Sequence, residues 1–160
     1  ISSVSIIEYL GLSIASLEQL IKEFKFPPGR NQTTTYNNTP VYINLVKNVV
    51  GFEETIDYVT NNFDQYKLII CLNDNYADGK DISWIYDVNV DQLLKQATTI
   101  TTSGLRAFDM ALRLELSTKQ PIDVIEDINR CLTTTINGPQ QVVVISNYTA
   151  LPQVLNTINK

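Results

Sequence analysis

The sequence runs to 160 residues, 44% of them hydrophobic and 18% charged. That suits one folded domain with a sizeable core and excludes a disordered chain. The net charge of −5 argues against a nucleic-acid binder, whose footprint is basic. With no histidine present, a Cys–His or Ser–His nucleophile within the chain and a histidine-type zinc site are both excluded.

No apolar run approaches the length of a membrane span, and no basic-then-apolar signal segment opens the chain. Ile1 in first place reads as a fragment or a processed product of something longer. Residues 1–10 look like the end of a helix, stopped by Gly11. A second helix carries Leu17, Leu20, Ile21 and Phe24 at i, i+3, i+4, i+7. The stretch "KFPPGRNQTTTYNNTP" then breaks the pattern with three prolines and a glycine, the composition of a hinge.

From there strands and helices alternate. "TTTY", a turn at Asn37-Asn38 and "VYINLVK" predict a hairpin. Residues 52–63 predict a helix with Phe52, Ile56, Val59 and Phe63 on one face. "YKLIICL" and "QVVVIS" are apolar runs of buried-strand type, and "ATTITT" is a weaker strand. A helix over 104–116 is expected to turn Leu105, Phe108, Leu112 and Leu116 inward, and another is expected over 123–136. The last helix holds Leu151, Val154, Leu155 and Ile158, with Pro152 tolerable only in its first turn. This alternation predicts an α/β fold, a mostly parallel sheet with helices on both faces, preceded by two short helices and the hinge. Functional loops then lie at the carboxyl ends of the strands.

One such loop stands out. "CLNDNYADGKDISWIYD" follows a buried strand directly and carries four acids beside one lysine. Its Asn, Asp and Gly are ordinary turn residues, so a purely structural loop competes with any functional reading. The spacing of Asp74, Asp78 and Asp81 lacks the rhythm and distal Glu of a calcium loop, and no metal site is expected. Trp84 fits the core, with an interface anchor as the alternative. Arg106, Asp109 and Arg113 at i, i+3, i+7 read as a solvated ion-pair ladder, against an anion site at Ser103-Gly104 and the helix start. Lys47 and Asn48 end a strand and are candidates to face a ligand, with surface solvation as the competing account. Cys71 and Cys131 have no metal-type spacing and read as buried, reduced thiols.

The wording of these segments resembles a known family. "NDNYADGKDISWIYDV" closely matches a signature of the MurT family, the ligase-type subunit of lipid II isoglutaminyl synthase. "SGLRAFDMALRL" and "NYTALPQVL" are similar to that family's later blocks, in the same order. "LVKNVVGF" and "FKFPPGR" resemble its upstream elements. Val49 stands where the family usually has Pro, and the acid expected two residues after Arg30 is missing.

The resemblance implies a Rossmann-like Mur ligase C-terminal domain over 34–160. Residues 1–33 would then be the end of a central ATP-binding domain plus the hinge. It also implies a cytoplasmic enzyme acting at the inner membrane face. A GatD-like glutaminase forms a heterodimer with it, and together they use ATP and glutamine to amidate the D-glutamate α-carboxyl of lipid II. ATP and Mg²⁺ belong mainly to the central domain, so this chain alone is expected to be inactive and to bind neither. The partner supplies Cys and His, and this family an Asp. Asp74 is the choice here, being the first acid beyond the strand end. Asn73, Asn75, Asp78, Asp81 and Trp84 are assigned to loop shaping or the interface. Arg30, Lys47 and Asn48 are assigned to the substrate or nucleotide side. The alternatives are a Mur-type or folylpolyglutamate-type ligase domain working without a glutaminase, and a non-catalytic interaction module.

Overall fold

A computed structural model of the chain describes Tyr9, Gly11 and residues 21–159. The helix expected over residues 1–10, and most of the one after it, lie outside the described residues. Six strands form one sheet: β1 (Gln32–Tyr36), β2 (Thr39–Leu45), β3 (Tyr66–Cys71), β4 (Ala97–Ser103), β5 (Asp123–Val124) and β6 (Val142–Ser146). Their order is β1-β2-β6-β3-β4-β5. β2, β6, β3, β4 and β5 run parallel, and β1 is the antiparallel edge.

The β1–β2 hairpin closes through Asn37 and Asn38, both at positive φ (48° and 63°). Asparagine tolerates this region, and two such residues fit the right-handed twist of paired strands. Five helices cover the sheet: α1 (Val49–Asn62), α2 (Asp91–Gln96), α3 (Ala107–Thr118), α4 (Ile128–Thr135) and α5 (Leu151–Ile158). Pro152 lies in the first turn of α5, where its missing N–H costs nothing.

Alternation along the strands splits the core into two layers. Tyr42, Leu68, Ile70, Val143 and Ile145 pack with Phe52, Ile56 and Val59 of α1, Leu93 of α2 and Met110 and Leu114 of α3. Their neighbours Val41, Ile43, Ile69, Cys71, Val142 and Val144 pack with Cys131 and Leu132 of α4 and Val154 and Ile158 of α5. A central strand buried on both faces needs a continuous apolar run, which "KLIICL" and "VVVI" supply. Each fully buried Leu, Ile or Val side chain contributes roughly 1.5–3 kcal/mol.

Two expectations are corrected. Residues 123–124 pair in parallel with β4, Thr101 opposite Asp123. The helix therefore starts only at Ile128, where the Asp127 side chain accepts from Arg130 N at 2.7 Å. Helix α3 starts at Ala107, so Leu105 precedes it, and Leu105, Phe108, Leu112 and Leu116 point outward, at 65%, 64%, 52% and 63% exposure. The buried face is Ala107, Met110, Ala111 and Leu114. Both stripes have helical spacing, so periodicity alone could not choose between them. Two small residues let the helix lie close to the sheet, which Phe108 and Leu112 would prevent. Arg113 fixes the rotation further: its Nε donates to Ile85 O (3.0 Å) and its Nη2 to Val88 O (2.6 Å).

Candidate functional site at the carboxyl edge of the sheet

Parallel strands deliver their following residues to one edge. After β2 come Lys47 and Asn48, after β6 Asn147 and Thr149, after β3 Asn73 and Asp74, and after β4 Gly104 and Arg106. Since β1 runs the other way, Gln32 lies opposite Ile43 and Asn31 N donates to Asn44 Oδ1 at 3.0 Å. Arg30 therefore sits, exposed, at the same edge.

β3 and β6 are neighbours whose chains leave toward opposite faces of the sheet. Such a switch point normally opens a crevice. Here two asparagines close it. Asn73 N donates to Asn147 Oδ1 at 3.1 Å, and Asn147 Nδ2 donates to Asn73 O at 2.7 Å. Both residues are buried. Asn73 Oδ1 also accepts from Leu105 N at 2.9 Å, while its Nδ2 has no partner among the described residues. Beside this pair a narrow cleft is lined by Lys47, Asn73, Asp78, Trp84, Asn147 and Tyr148.

Asp74 does not line that cleft. Its Oδ2 accepts from Arg106 Nη2 at 2.8 Å. Its Oδ1 has no hydrogen-bond partner among the described residues. The Asp74 side chain keeps 16% of its surface exposed. Near it in sequence, Tyr76 lies two residues on, and Leu105 and Phe108 lie one before and two after Arg106; they are exposed at 96%, 65% and 64%. A partly shielded carboxylate with one free oxygen can accept a hydrogen bond from a group on another molecule.

The other loop acids do different work. Asp78 Oδ1 accepts from Thr149 N (2.9 Å), and Oδ2 from Asn75 N (3.2 Å) and Thr149 Oγ1. Asn75 Nδ2 adds a bond to Thr149 Oγ1 at 2.9 Å. These contacts clamp the loop to the start of α5. Asp81 Oδ1 accepts from Ser83 N at 2.8 Å, which opens the 3₁₀ turn Ser83–Tyr86. Hydrogen bonding from Ser83, its side chain first and its backbone N–H second, holds the Asp81 carboxyl below its ordinary value. Trp84 is half-buried, packed edge-on against Phe52 at 6.3 Å. Asn48 caps α1, its Oδ1 accepting from Gly51 N at 2.9 Å. Lys47 is exposed.

The edge thus brings Asn73, Asp78, Trp84 and Lys47 around one cleft and sets Asp74 apart on the α3 side. The expected ladder on α3 is only half formed. Arg106 reaches Asp109 at 3.5 Å, while Arg113 is spent on the carbonyls of the 83–88 turn. Arg106 as the partner of Asp74 escapes a reading by helical spacing, because the two lie on different strand ends. Asn147 and Thr149 were findable, being the first polar residues beyond a buried strand. Cys71 and Cys131 are buried and unbridged. Burial pushes both thiols up, Cys71 the further, with Cys131 adding to its shift. Among the described residues no three Cys, Asp or Glu side chains converge as metal ligands, and no helix is long and apolar enough to cross a membrane.

Comparison with known proteins agrees with this geometry. The family described as MurT ligase C-terminal matches residues 45–151. The chain is 32% identical over its whole length to the lipid II isoglutaminyl synthase (glutamine-hydrolyzing) subunit MurT of Staphylococcus aureus strain COL, covering 37% of that protein. It is 26% identical over 155 residues to the Streptococcus pneumoniae R6 protein of that name, covering 94% of this chain and 35% of the relative. The chain therefore spans little more than a third of these relatives. Among solved structures, MurF of Acinetobacter baumannii superposes with a TM-score of 0.65 at 15% identity, over 94% of this chain and 35% of MurF. Folylpolyglutamate synthase of Thermotoga maritima gives 0.58 at 17% identity, over 98% and 37%. These likenesses establish a shared Mur ligase C-terminal fold, Rossmann-like and mostly parallel. By its sequence match and its architecture, the chain belongs to the MurT ligase C-terminal family.

Proposed function

We propose that this chain is the C-terminal domain of the ligase subunit of a lipid II isoglutaminyl synthase, and that Asp74 completes the catalytic triad of a GatD-like glutaminase docked against it. The whole enzyme would hydrolyse glutamine to glutamate and ammonia. With ATP, it would then use that ammonia to convert the D-glutamate α-carboxyl of lipid II to its amide. ATP and Mg²⁺ would be held mainly by the central domain that precedes this one, at the cytoplasmic face of the membrane. The chain alone would be inactive, because it carries neither a phosphate-binding loop nor a histidine.

The observation that carries the reading is the state of Asp74. It lies just past the end of β3, one carboxylate oxygen is occupied by Arg106 and the other is open, and exposed apolar residues flank Arg106 in sequence. An imidazole donated by a partner would hydrogen-bond to the open oxygen. The carboxylate then fixes the imidazole tautomer and stabilises the imidazolium formed when a thiol gives up its proton. Leu105 and Phe108 flank Arg106 in sequence, so a partner that covers the Asp74–Arg106 pair would meet them as well. The outward stripe of α3 thus supplies the apolar contact that a stable interface requires.

The test is Asp74→Asn in the full-length protein assembled with its glutaminase. Glutamine hydrolysis should fall by orders of magnitude; ~10⁴ is the scale of the same change in a serine-protease triad. Amidation from free ammonia should persist. Asp78→Asn and Asp81→Asn should cost less, since both carboxylates are spent on the loop. Normal hydrolysis by Asp74→Asn, or a larger loss in either of the other two, refutes the assignment.

A further inference from the structure

We propose that Arg106 is the positioning residue of Asp74. It fixes which carboxylate oxygen meets the partner's imidazole and tempers the charge that the imidazole sees. This rests on the triad reading above.

Four bonds lace the end of β3 to the end of β4. Leu72 N donates to Ser103 O (2.9 Å), Arg106 N to Leu72 O (2.9 Å), Leu105 N to Asn73 Oδ1 (2.9 Å) and Arg106 Nη2 to Asp74 Oδ2 (2.8 Å). Two of them join backbone to backbone, and the third joins the Leu105 backbone to the Asn73 side chain. Only the fourth holds the Asp74 side chain, and it selects Oδ2, leaving Oδ1 free. Nη1 lies 3.5 Å from Asp109 Oδ2. The guanidinium thus has a carboxylate on each side, Asp74 as the closer partner. Its Nε is buried without a partner among the described residues, although the side chain as a whole is 40% exposed.

The position of Arg106 is itself informative. It occupies the N-cap of α3 and makes no side-chain cap. Helix starts favour Ser, Thr, Asp or Asn there, and a cation opposes the positive end of the helix dipole. An arginine at this point works against the helix it begins. Such local conflicts mark functional positions, and the function visible here is the grip on Asp74. The remaining acids nearby do not compete for Asp74: Asp78 is turned to Thr149, and Asp109 lies on the far side of the guanidinium.

The experiment compares wild type, Arg106→Met, Arg106→Lys and Asp74→Asn, each as the full-length protein in complex with its glutaminase. The readout is kcat and KM for glutamine hydrolysis across pH. Arg106→Met should lower kcat by ~10²-fold, the scale of a small misplacement at a reacting centre, with KM little changed. Freed of its cation, Asp74 stabilises the imidazolium more strongly. The pH at which the imidazole titrates in the profile should therefore rise by up to about one unit. Arg106→Lys should restore the profile but only part of the rate, because a lysine keeps the charge and lacks the planar fork.

If Asp74→Asn is inactive while Arg106→Met matches wild type in rate and profile, the inference falls and the triad reading stands. A loss in Arg106→Met without a profile shift, unrelieved in Arg106→Lys, reduces Arg106 to a structural role and also overturns it. Normal hydrolysis by Asp74→Asn overturns both. Melting curves and the mass of each complex identify a variant that fails to fold. If Arg106→Met is such a variant, Arg106→Lys decides: a wild-type kcat refutes the need for the fork.

Discussion

Gly104 shows how little room separates the two strand ends that hold Asp74 and Arg106. Its φ is +93°, a region that L side chains rarely enter. A Cβ built there would meet Leu72 O at 2.5 Å and Asn73 Oδ1 at 2.8 Å. Neither neighbour can yield cheaply, since one is backbone and the other already accepts from Leu105 N. Gly104→Ala should therefore cost about 1–3 kcal/mol from the backbone conformation alone, with the clash added to it. Urea denaturation measures that loss. The same variant should also reduce glutamine hydrolysis in the complex, because Asp74 and Arg106 shift apart with the strand ends. A stability equal to wild type would mean that the two ends are less tightly joined than these distances indicate.

At the scale of single elements, α3 carries two apolar stripes that do opposite work. The inner one packs Met110 and Leu114 into the core; the outer one leaves Phe108, Leu112 and Leu116, with Leu105 just before the helix, half exposed or more. Leu114→Ala should cost about 2–5 kcal/mol, as large-to-small core changes do. Phe108→Ser and Leu112→Ser should each change stability by no more than about 0.5 kcal/mol, yet weaken association with the glutaminase. Light scattering on mixtures of the full-length variants with the partner checks this. Unchanged association would remove the stripe from the interface. Element α3 also marks where sequence reading stopped. The strands were legible because a doubly buried strand must be a continuous apolar run, as "KLIICL" and "VVVI" are. The hairpin was legible from Asn37-Asn38, and the position of Asp74 from the strand-end rule. The rotation of α3 was not, because it depends on Ala107 and Ala111 letting the helix approach and on Arg113 reaching carbonyls of a distant turn. The partnership of Arg106 with Asp74 was hidden for the same reason, being made by topology across 32 residues of chain.

Across the whole molecule, two tyrosines tie the first core layer to groups at its margins. Tyr66 is fully buried, and its hydroxyl donates to Leu93 O at 2.7 Å. Tyr42 is likewise buried and donates to Asn31 Oδ1 at 2.6 Å, fastening the segment before β1 to the sheet. Burial pushes both phenols well above their ordinary value, with the Tyr58 charge adding to the shift at Tyr42. In the unfolded chain both ionise near their ordinary pKa of about 10. Above that pH the unfolded state holds fewer protons than the folded one, so the stability of the fold must fall as pH rises. Each tyrosine contributes a slope of up to about 1.4 kcal/mol per pH unit, so the pair approaches twice that. Urea midpoints of the 160-residue chain between pH 8 and pH 11 should show a decline that begins at about pH 8.5, where the unfolded thiols of Cys71 and Cys131 ionise, and steepens at about pH 10 as the tyrosines join it. Tyr66→Phe should start lower at pH 8, by about 1–3 kcal/mol, because Leu93 O is left buried without its donor. Above pH 10 its decline should then be shallower than that of wild type by up to about 1.4 kcal/mol per pH unit. If Tyr66→Phe instead keeps the full alkaline slope, ionisation of Tyr66 is not what couples pH to the stability of this fold.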